Sequence, residues 1–138
     1  MKINIKYAGP ESSSWLKVRD IHVTEAVINK KIKDKEILIA HTESDTIGWL
    51  RYGYFWDNIP FVNMLFIEKQ YRRKGAGKKL MHFWESEMKK RKHEQVMTST
   101  LSNEKAQHFY RKLGYKDAGS LLLPNEPLEI FFIKGLNN

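Results

Sequence analysis

The stretch that decides the fold is Leu65-Phe66-Ile67-Glu68-Lys69-Gln70-Tyr71-Arg72-Arg73-Lys74-Gly75-Ala76-Gly77-Lys78-Lys79-Leu80-Met81. It opens on an apolar run of strand length. It closes on the start of an apolar stripe of helical period, Leu80, Met81, Trp84 and Met88, which predicts a helix over about residues 77–90. Between the two, Gly75 and Gly77 stand among Arg72, Arg73, Lys74, Lys78 and Lys79. Glycines at a strand-to-helix junction let the backbone approach a ligand closely, and the first N–H groups of the helix are unpaired and carry partial positive charge. Such a junction attracts phosphate. A Walker A loop needs four residues between its glycines and then Lys with a hydroxyl residue. Here one residue separates the glycines and Lys79 follows Lys78, so that reading fails. A dinucleotide fingerprint needs a third glycine where Leu80 stands, so that reading is weak. Glycines that serve only tight strand–helix packing are the remaining structural alternative.

Upstream, residues 3–7 alternate as a first strand ended by Gly9-Pro10, and Ser12-Ser13-Ser14 can cap a short helix. Val23, Ala26, Val27 and Ile32 give helical spacing over 22–33. Residues 36–41 read as a second strand and the aromatic-rich run 47–56 as a third. Asp57-Asn58-Ile59-Pro60 turns the chain into a fourth over 61–67, and the last three strands form an antiparallel meander. Downstream, 96–101 reads as a fifth strand. Ser102 or Asn103 then caps a helix carrying Ala106, Phe109, Tyr110 and Leu113, with Gly114 at its C-cap. Residues 115–123 and 128–133 around Pro124-Asn125-Glu126-Pro127 read as a hairpin. The order is β-α-α-β-β-β-α-β-α-β-β.

The length of 138 residues fits one domain spanning residues 1–138, and 41% hydrophobic and 12% aromatic residues suffice for a core. No apolar run reaches the roughly 18 residues that a membrane span needs. Residues 1–6 alternate apolar and charged side chains, unlike a signal peptide. The absence of cysteine excludes disulfides, thiolate metal sites and an enzyme-bound thioester, so the expected location is the cytoplasm. The net charge of +8 favours a polyanionic partner. Nine of the 24 Lys and Arg residues fall within 72–92. Lys89 to Lys92 suit a solvated helix C-terminus, whereas the group at 72–79 is interleaved with glycine. A basic nucleic-acid-binding module is the alternative from another class. It is weakened because Trp84, the aromatic beside His82 and Phe83, lies on the apolar stripe.

The 65–81 stretch resembles the acetyl-CoA-binding motif of the GNAT acetyltransferases, Arg/Gln-x-x-Gly-x-Gly/Ala. Asn103-Glu104-Lys105-Ala106-Gln107-His108-Phe109-Tyr110-Arg111-Lys112-Leu113-Gly114-Tyr115 is similar to that family's second signature, Asn-x-x-Ala-x-x-Phe-Tyr-x-x-x-Gly-Phe/Tyr. Order and spacing agree, while the sequence before about residue 60 resembles the family only in its pattern of elements. The resemblance implies a single-domain α/β fold with a mixed, mostly antiparallel central sheet, splayed strands four and five, and flanking helices. It implies acetyl-CoA as co-substrate and no metal. Leu65, Phe66 and Ile67 would pair with pantetheine. Arg72, Arg73, Lys74, Gly75, Ala76, Gly77 and Lys78 would hold the phosphates, and Asn103, Phe109 and Tyr110 would complete the cofactor side.

The implied reaction is direct acetyl transfer to a primary amine of a small molecule or peptide. An amine with pKa about 10.4 is only ~10⁻³ deprotonated near neutral pH, so a base is needed. The resemblance puts a Glu early on strand four, yet Phe61 stands at that position, with Asn63 two residues on. Glu43, Asp45, Asp57, Glu68 and His41 are the candidates, and a water chain ending on backbone is equally consistent. This departure keeps alive a non-catalytic acyl-CoA-binding relative. Tyr110 matches the general acid that protonates the leaving thiolate. Its alternative is a core position on the stripe with Ala106 and Phe109. Trp49, Tyr52, Tyr54, Phe55, Trp56 and Phe61 put six of the 17 aromatics within 13 residues, as an acceptor groove, as core, or as the interface of a homodimer.

Overall fold

The computed structural model describes residues 1–137. The elements are β1 (Asn4–Tyr7), α1 (Ser13–Arg19), α2 (Glu25–Lys33), β2 (Ile37–His41), β3 (Thr46–Phe55), β4 (Ile59–Ile67), α3 (Ala76–Lys90), β5 (Gln95–Leu101), α4 (Ala106–Lys112), β6 (Lys116–Leu121) and β7 (Glu129–Gly135), with short 3-10 turns at Pro10–Ser12 and Lys69–Tyr71. Their order is the one the sequence predicts. The strands form one sheet in the order β1-β2-β3-β4-β5-β7-β6. β1–β2, β2–β3, β5–β7 and β6–β7 run antiparallel, and β4–β5 runs parallel. The β4–β5 ladder is short. Phe61↔Met97 and Val62↔Thr98 are in register and no pair follows among the described residues, although both strands continue. No helix among the described residues is long and apolar enough to cross a membrane.

The chain resolves into two compact units, Met1–Tyr52 with Met64–Trp84, and Gly53–Asn63 with the chain from Glu85 onward. In the first unit Leu16, Ile28, Ile32, Ile37, Ile39 and Trp49 form a core against which Trp15, Val23, Met64 and Phe66 pack. The α2 stripe is phased one residue away from the expected one. Ile28 and Ile32, an i,i+4 pair, are buried, whereas Val27 is 38% exposed because it lies about 100° round the helix from Ile28. Thr24 caps α2 by accepting from the Val27 amide at 3.3 Å, so the helix begins at Glu25 rather than at His22. On α3, Leu80, Met81, Trp84 and Met88 are all fully buried, as their spacing requires. Among the described residues the Trp84 indole N–H has no hydrogen-bond partner, a cost of about 1–3 kcal/mol that the burial of its ring offsets.

In the second unit the turn between β3 and β4 comes earlier than its proline suggested. The Asn58 amide bonds the Phe55 carbonyl at 3.1 Å, with Trp56 and Asp57 at φ of +56° and +57°. Two left-handed residues make this a type I′ turn, whose twist matches the flanking strands. Ile59 and Pro60 consequently belong to β4. A tryptophan in that conformation runs against its own preference, which is why the sequence pointed elsewhere.

Candidate active site

In the first unit β4 ends at Ile67, the chain makes a 3-10 turn over Lys69–Tyr71, and α3 starts at Ala76. Arg73 has φ +63° and Gly75 φ +86°, so the intervening loop is held by left-handed residues. A Cβ added to Gly75 would meet nothing within 4 Å, so this glycine serves the backbone conformation and the loop face is open. The first bond of α3 runs from the Lys79 amide to the Gly75 carbonyl at 3.0 Å. The amides of Ala76, Gly77 and Lys78 precede it and have no intrahelical acceptor. The cations divide. Arg72 donates from Nε to the Ile67 carbonyl at 2.7 Å and lies 5.0 Å over the Phe66 ring, so its side chain is folded back on the end of β4. The exposed side chains of Arg73, Lys74 and Lys78 have no ion pair or hydrogen bond among the described residues. Leu65, Phe66 and Ile67 are half-buried on the last turnings of β4.

Two of the clefts in this unit carry carboxylates. One of about 470 Å³ is lined by Met64, Phe66 and Trp49, with Arg19, His22 and Glu68 at its polar edge. Arg19 donates to Glu68 at 2.6 Å and stacks 4.1 Å over Trp15. The segment bearing His22 is anchored from beneath. Asp20, whose side chain is fully buried, accepts from Arg51 at 2.7 and 3.3 Å and from the Trp49 indole at 3.3 Å. Neither this buried pair nor His22 gave a sequence signal, since Asp20 and Arg51 are 31 residues apart and meet only through the fold. The second cleft, about 300 Å³, holds Glu43 and Asp45. Tyr71 donates to Asp45 at 2.9 Å, and that bond raises the Tyr71 phenol above its usual range. His41 keeps Nδ1 on the Thr42 carbonyl at 3.1 Å, and Asp57 sits on the type I′ turn of the other unit.

In the second unit Tyr110 lies on the inner face of α4, only 6% exposed. Its ring meets Phe109 at 5.3 Å, Tyr115 at 5.9 Å and Phe132 at 6.0 Å. Burial is the main cause that pushes its phenol up to about 12. A hydrogen bond with Thr98 opposes the shift, and the charge of Glu104 adds to it. The helix end fixes the ring. The Tyr115 amide bonds the Tyr110 carbonyl at 3.1 Å and the Gly114 amide bonds that of Arg111 at 3.0 Å, with Gly114 at φ +95°. This is a Schellman cap, and the Tyr110–Tyr115 ring contact is its apolar clasp. Tyr115 donates to Glu85 at 2.7 Å, and Lys134 bonds the other oxygen of Glu85 at 2.9 Å. Burial and the neighbouring carboxylate hold the Tyr115 phenol protonated.

Asn103 is not the helix cap expected of it. The first helical residue is Ala106, Lys105 occupies the cap position, and Gln107 braces the preceding turn through the carbonyls of Ser102 and Glu104 at 2.7 and 2.9 Å. The Asn103 side chain is left exposed and unpaired among the described residues. The aromatic run does not act as one surface. Trp49 and Tyr52 are core of the first unit, whereas in the second Phe55 stacks on Phe61 at 5.9 Å and Phe131 abuts both edge-on at 6.0 and 5.9 Å. Phe61, standing where a carboxylate was expected, is part of an apolar trio. No cluster of three or more metal-ligating side chains occurs among the described residues.

Residues 33–117 match the sequence profile of the acetyltransferase (GNAT) domain. The chain belongs to the GNAT acetyltransferase family. It is an acetyltransferase. Similar solved structures include a GNAT-family acetyltransferase of Bacillus cereus, 20% identical over 98% of both chains with a TM-score of 0.80. The ribosomal-protein-S18-alanine N-acetyltransferase of Escherichia coli is 13% identical over 99% of this chain and 96% of that one, also at 0.80. A Bacillus anthracis protein provisionally described as a streptothricin acetyltransferase, solved with acetyl coenzyme A, is 24% identical over 72% of this chain and 61% of that one, at 0.67. At these identities the likeness is one of fold. No curated protein sequence matches the chain significantly.

Proposed function

We propose that this GNAT acetyltransferase moves the acetyl group of acetyl-CoA directly to a primary amine of a small molecule or a peptide, with Tyr110 as general acid. The observation that carries the proposal is the open loop ahead of α3. Three amides without intrahelical acceptors, two left-handed residues and three unpaired cations suit a pyrophosphate, and nothing in the loop competes for them. Arg73, Lys74, Lys78 and the amides of 73–78 bind the phosphates in this reading, while Arg72 shapes the loop by holding the Ile67 carbonyl. The β4 backbone at Leu65, Phe66 and Ile67 pairs with the pantetheine amides, and the free amide of Asn103 and the ring of Phe109 meet the same arm. A β4 backbone N–H faces the oxyanion.

The nitrogen of the neutral amine attacks the thioester carbonyl, the C–S bond breaks with its electron pair on sulfur, and Tyr110 gives its proton to that sulfur. The acceptor occupies the cleft of about 470 Å³ beside Met64 and Phe66. Glu68 is committed to Arg19 there, so the base we favour is His22, whose imidazole lines the same cleft. Both acceptor classes stay in the proposal, because the E. coli neighbour is named for a protein alanine and the B. anthracis one for streptothricin. Release of CoA thiol is measured while small amines, polyamines, aminoglycosides and peptides with free N-termini are screened against acetyl-CoA. Amine-dependent release abolished by acetylated amines is expected. Cofactor binding without release across the screen overturns the proposal in favour of a non-catalytic acyl-CoA-binding protein.

A further inference from the structure

The cleft of about 470 Å³ in the first unit has apolar walls and a rim whose negative charge is already met. Its size lies within the roughly 300–1,000 Å³ that small-ligand sites occupy. Trp49 lines it from β3, Met64 and Phe66 line it from β4, and the Trp49 and Phe66 rings meet at 5.1 Å. Val18 on α1 and Ile21 just beyond it complete the walls, although they are 69% and 79% exposed. A single exposed aliphatic needs no explanation. These two share one cleft and flank Asp20, which is fully buried on Arg51 and the Trp49 indole and gives its amide to the Leu16 carbonyl at 2.7 Å. The segment is therefore anchored, and its two apolar side chains are presented at a fixed place.

The carboxylate on the rim is Glu68, whose Oε1 lies 2.6 Å from Arg19 Nε. Arg19 is kept there by a bond from its Nη1 to the Trp15 carbonyl at 3.1 Å and by the Trp15 ring 4.1 Å from its guanidinium. A second guanidinium, that of Arg72, lies 5.0 Å over the Phe66 ring. The remaining titratable group on the cleft is His22. We infer that the acceptor is a monoamine on an apolar aliphatic or aromatic body, which Val18, Ile21, Met64 and Phe66 select, and that a second ammonium on the acceptor is rejected. This rests on the reading of the cleft as the acceptor site of an amine acetyltransferase. The reacting nitrogen arrives as an ammonium and gives one proton to the base. As its N–C bond forms and the C–S bond breaks with the electron pair on sulfur, it loses a second proton, replaced in the balance by the one that the thiol gains. Its charge is gone in the amide product. A second ammonium keeps its charge throughout, facing two guanidiniums and a carboxylate that Arg19 has neutralised. Polyamines, aminoglycosides and peptides beginning with lysine are poor acceptors on this account. Free alkylamines or aralkylamines and peptides beginning with an apolar residue share the favoured chemistry.

Release of CoA thiol from acetyl-CoA is measured at one pH and salt with butylamine, hexylamine, octylamine and hexamethylenediamine, and with short peptides beginning with leucine or with lysine. For the alkylamines kcat/KM is expected to rise roughly two- to fourfold per added methylene, the range from partial to full burial of that group. Hexylamine should exceed hexamethylenediamine by about tenfold, and leucine should exceed lysine in the same sense. The arm with the higher kcat/KM names the source of the amine. Two variants tie the preference to the cleft. In Val18→Ser/Ile21→Ser, whose sites are exposed enough to leave folding intact, hexylamine should lose roughly three- to tenfold in kcat/KM and butylamine no more than about twofold. Arg19→Gln frees Glu68 and should raise hexamethylenediamine relative to hexylamine by about fivefold. Equal or better use of the diamine by wild type overturns the inference while the transferase reading stands, since acceptors then turn over. An unchanged chain-length dependence in Val18→Ser/Ile21→Ser overturns it too. If no amine or peptide releases CoA from protein that binds acetyl-CoA, the transferase reading falls and takes the inference with it.

Discussion

The loop at 72–78 and the helix end at Tyr110 are built on opposite principles. The loop is exposed, three of its four cations are unpaired among the described residues, and its shape comes from two left-handed backbones within three residues. Tyr110 is sealed by three rings and clamped by a Schellman cap at Gly114. A group that must capture a soluble, multiply charged ligand gains from exposure, since mobile cations steer and then pair with phosphate. A group that must surrender one proton in a fixed direction gains from burial, which sets both its orientation and its affinity for that proton. The difference teaches that donor capture and chemistry should respond to separate substitutions.

The largest expected effect is on chemistry. Tyr110→Phe should lower turnover by about 10²-fold or more, the usual range for general acid catalysis, while acetyl-CoA affinity changes little. Steady-state and binding measurements on the same preparation check it, and equal loss of both would erase the contrast. Alkaline stability comes next. The Tyr110 phenol is raised from 10.0 to about 12 on folding, so between those values the native state keeps a proton that the unfolded chain has lost. Stability therefore falls as pH rises through this window, by about 2–3 kcal/mol from Tyr110. Denaturant unfolding at several pH values should show the fall in wild type and a shallower one in Tyr110→Phe. The smallest effect sits at the clamp. In Gly114→Ala the new Cβ would lie 3.6 Å from Lys134 Cε, an ordinary contact, so only the cost of φ +95° is felt, about 1 kcal/mol and a few degrees in Tm.

How much of this was legible follows the same division. The element order, the α3 stripe and the Gly114 cap were readable because periodicity and caps are local. The glycine loop was readable for the same reason. Long-range pairing was not: nothing in residues 116–135 says that β7 inserts between β5 and β6, and nothing near Thr98 says that it meets Val62. The fold also overrode local preference where Trp56 accepts a left-handed turn and where Ile28, not Val27, faces the core. Arg72 looked like a phosphate ligand beside Arg73, yet in the fold its Nε is held by the Ile67 carbonyl. Asn103 lost its cap role because α4 starts at Ala106, three residues beyond it.

The central claim is that the exposed loop captures the donor and Tyr110 does not. Calorimetric titration of acetyl-CoA into wild type, Tyr110→Phe and an Arg73→Ala/Lys74→Ala/Lys78→Ala triple variant, each at low and physiological salt, tests it most directly. The account predicts sub-millimolar binding to wild type and Tyr110→Phe, and roughly tenfold or weaker binding to the triple variant with a flatter salt dependence. Wild-type affinity in the triple variant, or no binding to wild type at physiological salt, would contradict it.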